Sequence, residues 1–441
     1  MLVLQKYQNK KIAIYGMGLT GCSAAKIFKK LKSRILCWDD SEKIRKKVKK
    51  LNFPIRKFWI EKNPVDTILI SPGIDINQSK INSYLKRNSE KIITDLDLFF
   101  ELNKSSLIIS ITGTNGKSTT CKIIEKILKT ANLKAKTIGN IGNPVLSTNF
   151  SNKKNIFILE ASSYQLQYSK LFRSKHAAIL NISPDHIERH KNIENYIKTK
   201  TKIFLAQKKN DYSYINSKNR YYKLIKNIFK NQHLKSKLIS VKKSNCDFLL
   251  KKINNKYFKS NGNIENLSFA YKIAKNLRIK DKTIIKAINK FKGLSHRQEI
   301  VFSSKKLLCV NDSKATSFDA SLQSLLNYNK IYWIVGGIPK HKDKFNLKNV
   351  KKKIIKAYII GKNSVFFKKQ LKNKVLYNVS KSLKNAINTI CKDIRENKNT
   401  QSTILLSPAG ASFDQFDNFE ERGSFFKKLI QKKLKKSNVY F

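Results

Sequence analysis

Leu107-Ile108-Ile109-Ser110-Ile111-Thr112-Gly113-Thr114-Asn115-Gly116-Lys117-Ser118-Thr119 is the stretch on which the fold turns. Residues 107–111 form a short apolar run, the length of one buried strand, and an amphipathic helix pattern follows the loop through about Lys129. A glycine-bearing loop between a strand and a helix N-terminus aims backbone amides at one point, which suits phosphate. Lys117 can neutralise charge on a β or γ phosphate, and Ser118 or Thr119 can hold Mg²⁺. The general phosphate-loop pattern wants Gly at 111, where Ile111 stands, so the loop is a shortened variant.

The same rhythm extends to both sides. Upstream, strand-like residues 11–15 end in Gly16-Met17-Gly18-Leu19-Thr20-Gly21, with a helix pattern from Ser23 to about Leu31 and a strand from Arg34 to Trp38 ending at Asp39-Asp40. This glycine cluster can be read as a dinucleotide site, a site for another nucleotide diphosphate, or a tight strand-helix turn. Further strands are predicted at Thr67 to Ile70 and Lys91 to Thr94.

Downstream, strands at Ile156 to Glu160 and Ala177 to Asn181 both end in polar residues. Residues 207–260 are rich in Lys and Asn and carry little chemistry, and helix patterns at Ile264 to Leu277 and Asp281 to Phe291 close the unit. A third unit follows, with strands at Leu307 to Val310, Ile331 to Val335, Ala357 to Ile360 and Thr403 to Leu406, and helices at Phe318 to Leu326 and from about Glu420 to Lys435. The reading is three α/β domains: 1–100 Rossmann-like, 101–295 phosphate-loop ATPase-like, and 296–441 Rossmann-like. The 441 residues agree with that number at roughly 150 per domain.

Composition narrows the function. No apolar stretch approaches the roughly 18 to 20 residues of a membrane span, and the N-terminal residues lack a signal-peptide pattern, so a cytoplasmic protein is expected; a monomer is the separate expectation for its assembly. Six cysteines stand singly without a C-x-x-C pair, which argues against a zinc knuckle or a disulfide framework. The formal charge of +62 would suit a polyanionic partner, but only eleven of the 91 basic residues are Arg and the lysines are scattered. Abundant Lys, Asn and Ile fit AT-rich coding DNA instead, so no nucleic-acid partner is expected. A nicotinamide-dependent oxidoreductase built on Gly16 to Gly21 is the rival from another class, and it would leave the phosphate loop idle.

Two more clusters fall at strand ends: Glu160-Ala161-Ser162-Ser163-Tyr164-Gln165, whose carboxylate is a hard ligand suited to Mg²⁺, and Asn181-Ile182-Ser183-Pro184-Asp185-His186. Together with Gly-Leu-Ser-His-Arg-Gln-Glu at 293–299, Asn-Asp-Ser-Lys-Ala-Thr-Ser at 311–317 and the segment from Ser407 to Gly423, these blocks resemble the Mur ligases in order and spacing across the whole chain. The 311–317 and 407–423 blocks resemble the branch that adds D-glutamate, whereas the phosphate loop is shared with other Mur ligases and with folylpolyglutamate synthetases.

The resemblance implies an ATP-dependent ligase joining D-glutamate to UDP-N-acetylmuramoyl-L-alanine in peptidoglycan synthesis. It assigns Leu19, Thr20, Asp39 and Asp40 to the uridine diphosphate end, and Asn140, Ser162 and Gln165 to the muramoyl-alanine arm. Gly113, Thr114, Asn115, Gly116, Lys117, Ser118 and Thr119 would bind ATP, with Asn263 and Asn266 near the adenine, Arg297 on the phosphates and Asp312 on the ribose. Ser118, Thr119, Glu160, His186 and a carbamylated Lys200 would hold two Mg²⁺ ions, with Lys117, His186 and Lys200 catalytic. Lys314, Thr316, Ser412, Phe413 and Phe419 would form the D-glutamate pocket. The nearest alternative is another ligase of this superfamily with a different amino acid or a folate substrate.

Overall fold

The computed structural model describes residues 2–139, 144–147, 155–340, 343–397 and 401–436. The chain divides into two compact units, residues 1–259 with 263–291, and residues 260–262 with 292–441.

The first unit holds two parallel sheets. Strands β1 (Lys11–Tyr15), β2 (Arg34–Trp38), β3 (Thr67–Ile70) and β4 (Ile92–Ile93) lie in the order β2-β1-β3-β4. Strands β5 (Leu107–Thr112), β6 (Ala135–Gly139), β7 (Ile156–Glu160), β8 (His176–Ile179), β9 (Tyr212–Asn216) and β10 (Lys237–Val241) lie in the order β10-β9-β8-β5-β7-β6. In each sheet the chain reverses its direction of travel beside the first strand. Open α/β sheets bind ligands in the crevice at the carboxyl edge of such a reversal. The loop after β1 is Gly16 to Gly21, and the loop after β5 is Gly113 to Gly116, so both glycine loops sit at these points.

The central strands β5 and β7 of the second sheet read as nearly continuous apolar runs because both faces are covered; every residue of β7 and β8 is buried. One apolar cluster runs from Phe28 and Phe99 of the first sheet's helices to Phe157, Leu159 and Ile179 of the second sheet, so the two share a core. Phe99 meets Phe157 edge to face at 5.2 Å. Burying a side chain of this kind stabilises by about 1.5 to 3 kcal/mol. Polar clips reinforce it: the buried Asp97 carboxylate accepts the amides of Lys170, Leu171 and Phe172 at 3.1, 2.8 and 2.9 Å and the Ser169 hydroxyl at 2.7 Å.

The second unit is one six-stranded sheet in the order β11-β12-β16-β13-β14-β15, built from β11 (Glu299–Ser303), β12 (Leu307–Asn311), β13 (Ile331–Gly336), β14 (Ile354–Ile360), β15 (Tyr377–Lys381) and β16 (Ser402–Leu406). β11 runs antiparallel to β12 and the other pairings are parallel. β16 is inserted between β12 and β13, which sets the loops after these three strands side by side.

Several elements differ from the sequence reading. The helix after β1 starts at Leu19 rather than Ser23, because Gly21 lies so close to the Gly16 carbonyl that it belongs inside the first turn. β8 spans His176–Ile179, starting one residue and ending two residues earlier than expected, which leaves Asn181 in the loop where its side chain can turn toward the phosphate loop. Residues 207–260 are not featureless: they supply β9 and β10 and the helix Tyr222–Asn231. Five cysteines are buried, namely Cys37 in the first sheet, Cys121 and Cys246 in the core of the second, and Cys309 and Cys391 in the third; all six thiols are free.

Candidate functional site

Gly16 has φ +90°, and a Cβ there would stand 2.8 Å from the Ser71 Cβ, so a side chain is excluded on two grounds. This tight turn leaves Gly18, Leu19 and Thr20 at the start of the helix Leu19–Lys30 along the crevice, with Leu19 80% exposed. Asp39 fastens the turn, its carboxylate accepting the Met17 amide at 2.7 Å and the Ser41 amide at 2.9 Å. Asp40 accepts from Tyr15 Oη at 2.6 Å and Trp38 Nε1 at 3.2 Å.

The second loop is held from below. Thr114 Oγ1 accepts the Ser183 amide at 3.0 Å, the Asn115 amide donates to Asn181 Oδ1 at 2.8 Å, and the helix Lys117–Thr130 begins from Gly116 at φ +82°. A Cβ on Gly116 would fall 2.1 Å from Asn266 Oδ1, so Asn266, from the helix Asn261–Asn276, packs against the loop. Asn263, one turn earlier, donates to the Tyr257 carbonyl at 2.8 Å.

Two ammonium groups converge on one carbonyl. Lys117 Nζ donates to the Gly113 oxygen at 2.9 Å and to that of Thr114 at 2.9 Å, and Lys200 Nζ donates to the same Gly113 oxygen at 3.0 Å. Lys200 is only 2% exposed, and among the described residues it forms no ion pair; Thr112 Oγ1 and the Tyr196 ring complete its surroundings. Burial and then the neighbouring Lys117 push its ammonium well below the ordinary lysine range. Of the lysines near this register, Lys198 is exposed and Lys202 turns away to the Gln167 carbonyl, so Lys200 alone reaches the loop. Such a pair calls for negative charge between its members, which a phosphate or a carboxylate supplies.

Hard oxygen ligands stand next to the pair. Ser118 Oγ donates to Glu160 Oε2 at 2.7 Å, Glu160 being 2% exposed at the end of β7. Thr119 is buried in the same first turn. His186, at φ +54°, lies with Nδ1 3.1 Å from Tyr164 Oη and Nε2 3.5 Å from Asp185. Among the described residues no three His, Cys, Asp or Glu side chains gather into a metal cluster, so a cation here would take part of its shell from phosphate and water. Mg²⁺ coordinates in that manner.

One cavity of about 670 Å³ joins these parts: the turn Gly16 to Thr20, Asp39, the loop Ser71 to Ile74, Gly113, Lys117, Ser162, Gln165, Asp185, His186 and Lys200. Ser162 and Gln165 cap each other at the start of the helix Ser163–Leu166, and Gln165 Nε2 donates to Asp95 Oδ2 at 2.9 Å. Burial raises the Asp95 carboxyl to about 6, and among the described residues its Oδ1 has no hydrogen-bond partner. Asp95, Tyr164, Asp185, Tyr196 and the loop Ser71 to Ile74 were not singled out from the sequence as ligand contacts. Asn140 lies outside the described residues.

In the second unit, Lys314 Nζ sits 3.9 Å above the Phe419 ring, Ser412 is buried, Thr316 is half-buried and Phe413 is 70% exposed. Asp312 is largely engaged within the fold: its carboxylate accepts Ser324 Oγ at 2.5 Å, Ser407 Oγ at 3.1 Å and the Gln298 amide at 3.2 Å, and burial raises it to about 6. Arg297 is half-buried in the loop before β11.

Residues 111–280 match the Mur ligase middle domain. The chain is 36% identical to a UDP-N-acetylmuramoylalanine-D-glutamate ligase of Rickettsia prowazekii (strain Madrid E), over 97% of this chain and 99% of the relative. Among solved structures it resembles MurF from Acinetobacter baumannii, with TM-score 0.58 and 13% identity over 97% and 98% of the two chains. It also resembles MurF from Thermotoga maritima, solved in complex with ADP, with TM-score 0.56 and 14% identity over 98% and 97%. The architecture is accordingly the three-domain α/β fold of those ligases. Identity at that level over nearly the full length places the chain in the Mur ligase family, on the branch of the UDP-N-acetylmuramoylalanine-D-glutamate ligases.

Proposed function

We propose that the protein is an ATP-dependent ligase that joins the alanyl carboxyl of UDP-N-acetylmuramoyl-L-alanine to the amine of D-glutamate. The observation that carries the reading is the pair of ammonium groups on the Gly113 carbonyl, facing a cavity that runs on to the glycine turn after β1. The turn and the helix start at Leu19 and Thr20 suit a diphosphate, and Asp39 and Asp40 suit the uridine end. From there the muramoyl-alanine arm extends past Ser162 and Gln165 and brings its carboxylate to the phosphate loop.

An oxygen of that carboxylate attacks the γ-phosphorus of ATP; the bond to the β-γ bridging oxygen breaks and ADP leaves. The product is an acyl phosphate. The amine of D-glutamate, held by Lys314, Thr316, Ser412 and Phe419, attacks the acyl carbon, loses a proton and expels phosphate. Lys117 withdraws from its two carbonyls onto the β and γ oxygens, where negative charge builds up. Gly113 to Thr119 contribute amides and hydroxyls to the same phosphates, with Asn263 and Asn266 on the adenine side and Arg297 and the remaining lone pairs of Asp312 assigned to phosphate and ribose.

Ser118, Thr119, Glu160 and His186 would hold Mg²⁺, which when bound offsets phosphate charge. A neutral Lys200 amine can add CO₂ to give a carbamate and a proton. This converts the buried group from a rival of Lys117 into its anionic partner and a further oxygen ligand.

The test is phosphate release with UDP-N-acetylmuramoyl-L-alanine, ATP and a panel of D-glutamate, L-glutamate, L-lysine and meso-diaminopimelate. D-Glutamate should exceed L-glutamate by about tenfold or more in kcat/KM, as expected for one lost charge-assisted contact. Comparable rates with a diamino acid would overturn the amino-acid assignment and leave another ligase of this family.

A further inference from the structure

Arg422 stands in the first turn of the helix Phe419–Lys436 and is 1% exposed. Two features make a cation costly there. A helix N-terminus repels positive charge, and a buried guanidinium ordinarily needs a carboxylate partner. Among the described residues Arg422 has no ion pair; Asp414 acts on it only from a distance, and burial lowers its pKa to about 10, so it remains charged at neutral pH.

Among the described residues its side-chain hydrogen bonds go to the loops at the carboxyl edge of the sheet. Nε donates to Ser313 Oγ at 3.0 Å, and Nη2 donates to the Ser313 carbonyl at 2.8 Å and the Gly410 carbonyl at 3.0 Å. Nη1 lies against Gly337, 3.1 Å from where a Cβ would be. The guanidinium thus touches the loops after β12, β16 and β13. Ser313 passes the tie on, its hydroxyl donating to the Phe419 carbonyl at 2.9 Å. Ser313 precedes Lys314, and Gly410 lies two residues before Ser412.

We propose that Arg422 is a positioning residue for the incoming amino acid, setting the loops that carry Lys314 and Ser412 at a fixed separation. It does not touch the substrate itself. The inference rests on the D-glutamate reading above. A planar fork can hold two loops at once, and a lysine ammonium cannot reproduce that geometry.

The experiment is steady-state ligation, varying each of the three substrates in turn, on wild type, Arg422→Ala, Arg422→Lys and Ser313→Ala. Arg422→Ala should raise the KM for D-glutamate about tenfold or more, as expected for charge-assisted contacts, with the KM values for ATP and the UDP-sugar within about twofold. Arg422→Lys should fall between it and wild type, and Ser313→Ala should raise the same KM about threefold. Millimolar guanidinium chloride should restore part of the loss in Arg422→Ala, whereas sodium chloride at equal concentration should not. A general folding role would move all three KM values together, ignore guanidinium and overturn the proposal. Should Arg422→Ala not fold, Arg422→Lys and Ser313→Ala decide, and a D-glutamate KM unchanged in both overturns it. Wild type without activity on D-glutamate overturns the ligase reading instead.

Discussion

Replacing Lys200 by Met should make the folded protein more stable while it stops turning over. Lys200 is buried without an ion pair among the described residues and shares the Gly113 carbonyl with another cation. Methionine keeps the length and flexibility of the side chain and fills the space without a charge. Two hydrogen bonds are lost, to Gly113 O and Thr112 Oγ1, at about 1 kcal/mol each. Against that, keeping this amine buried costs several kcal/mol, either as a desolvated ammonium or as the work of removing its proton, so the net gain is about 1 to 2 kcal/mol. Turnover should fall at least about 100-fold, because the carbamate that would face Lys117 can no longer form. The assay pairs urea denaturation in bicarbonate-free buffer, following the transition of the first unit, with phosphate release at saturating substrates. A lowered midpoint would refute the argument about the buried charge. Turnover within threefold of wild type would remove Lys200 from the chemistry.

Lys117→Ala should lose about 3 kcal/mol of transition-state stabilisation, a drop of more than 100-fold in kcat, read by ADP release. Gly116→Ala puts a Cβ 2.1 Å from Asn266 Oδ1 at a positive φ, so nucleotide affinity measured by calorimetry should fall while the UDP-sugar still binds. Burial lowers the His176 imidazole from 6.5 to about 4 in the folded chain. The unfolded chain therefore takes the proton first, and about 3 kcal/mol of stability present above pH 6.5 is lost as the pH falls to 4. His176→Phe should flatten the pH dependence of unfolding by that amount.

The glycine turns, β5 and Glu160 at the end of β7 were legible because apolar runs of strand length end there in residues with one evident use. β9 and β10 were hidden by their lysine-rich surroundings; β10 is an edge strand with three of its five residues half-buried or better, which gives weak alternation. β11 and β15 are edge strands too and were missed for the same reason. Lys200 could be told from Lys198 and Lys202 only by family register in the sequence, whereas burial separates them at once. The link between Gln165 and Asp95 joins side chains 70 residues apart, each at the start of a helix that follows a strand of a different sheet, and leaves no spacing pattern to read.

The buried cysteines also divide the molecule into separately readable parts. Burial raises the Cys37 thiol to about 12, the Cys121 thiol well above its usual range, and the Cys309 thiol as well, so each is unreactive while its surroundings stay closed. A thiol reagent can attack only after local opening, and the rate at each site then measures the free energy of that opening. Cys37 reports on the first sheet, Cys121 on the helix behind the phosphate loop and Cys309 on the third sheet. Mass spectrometry of alkylated peptides, with and without nucleotide, would therefore map which sheet each substrate tightens, without any engineered label.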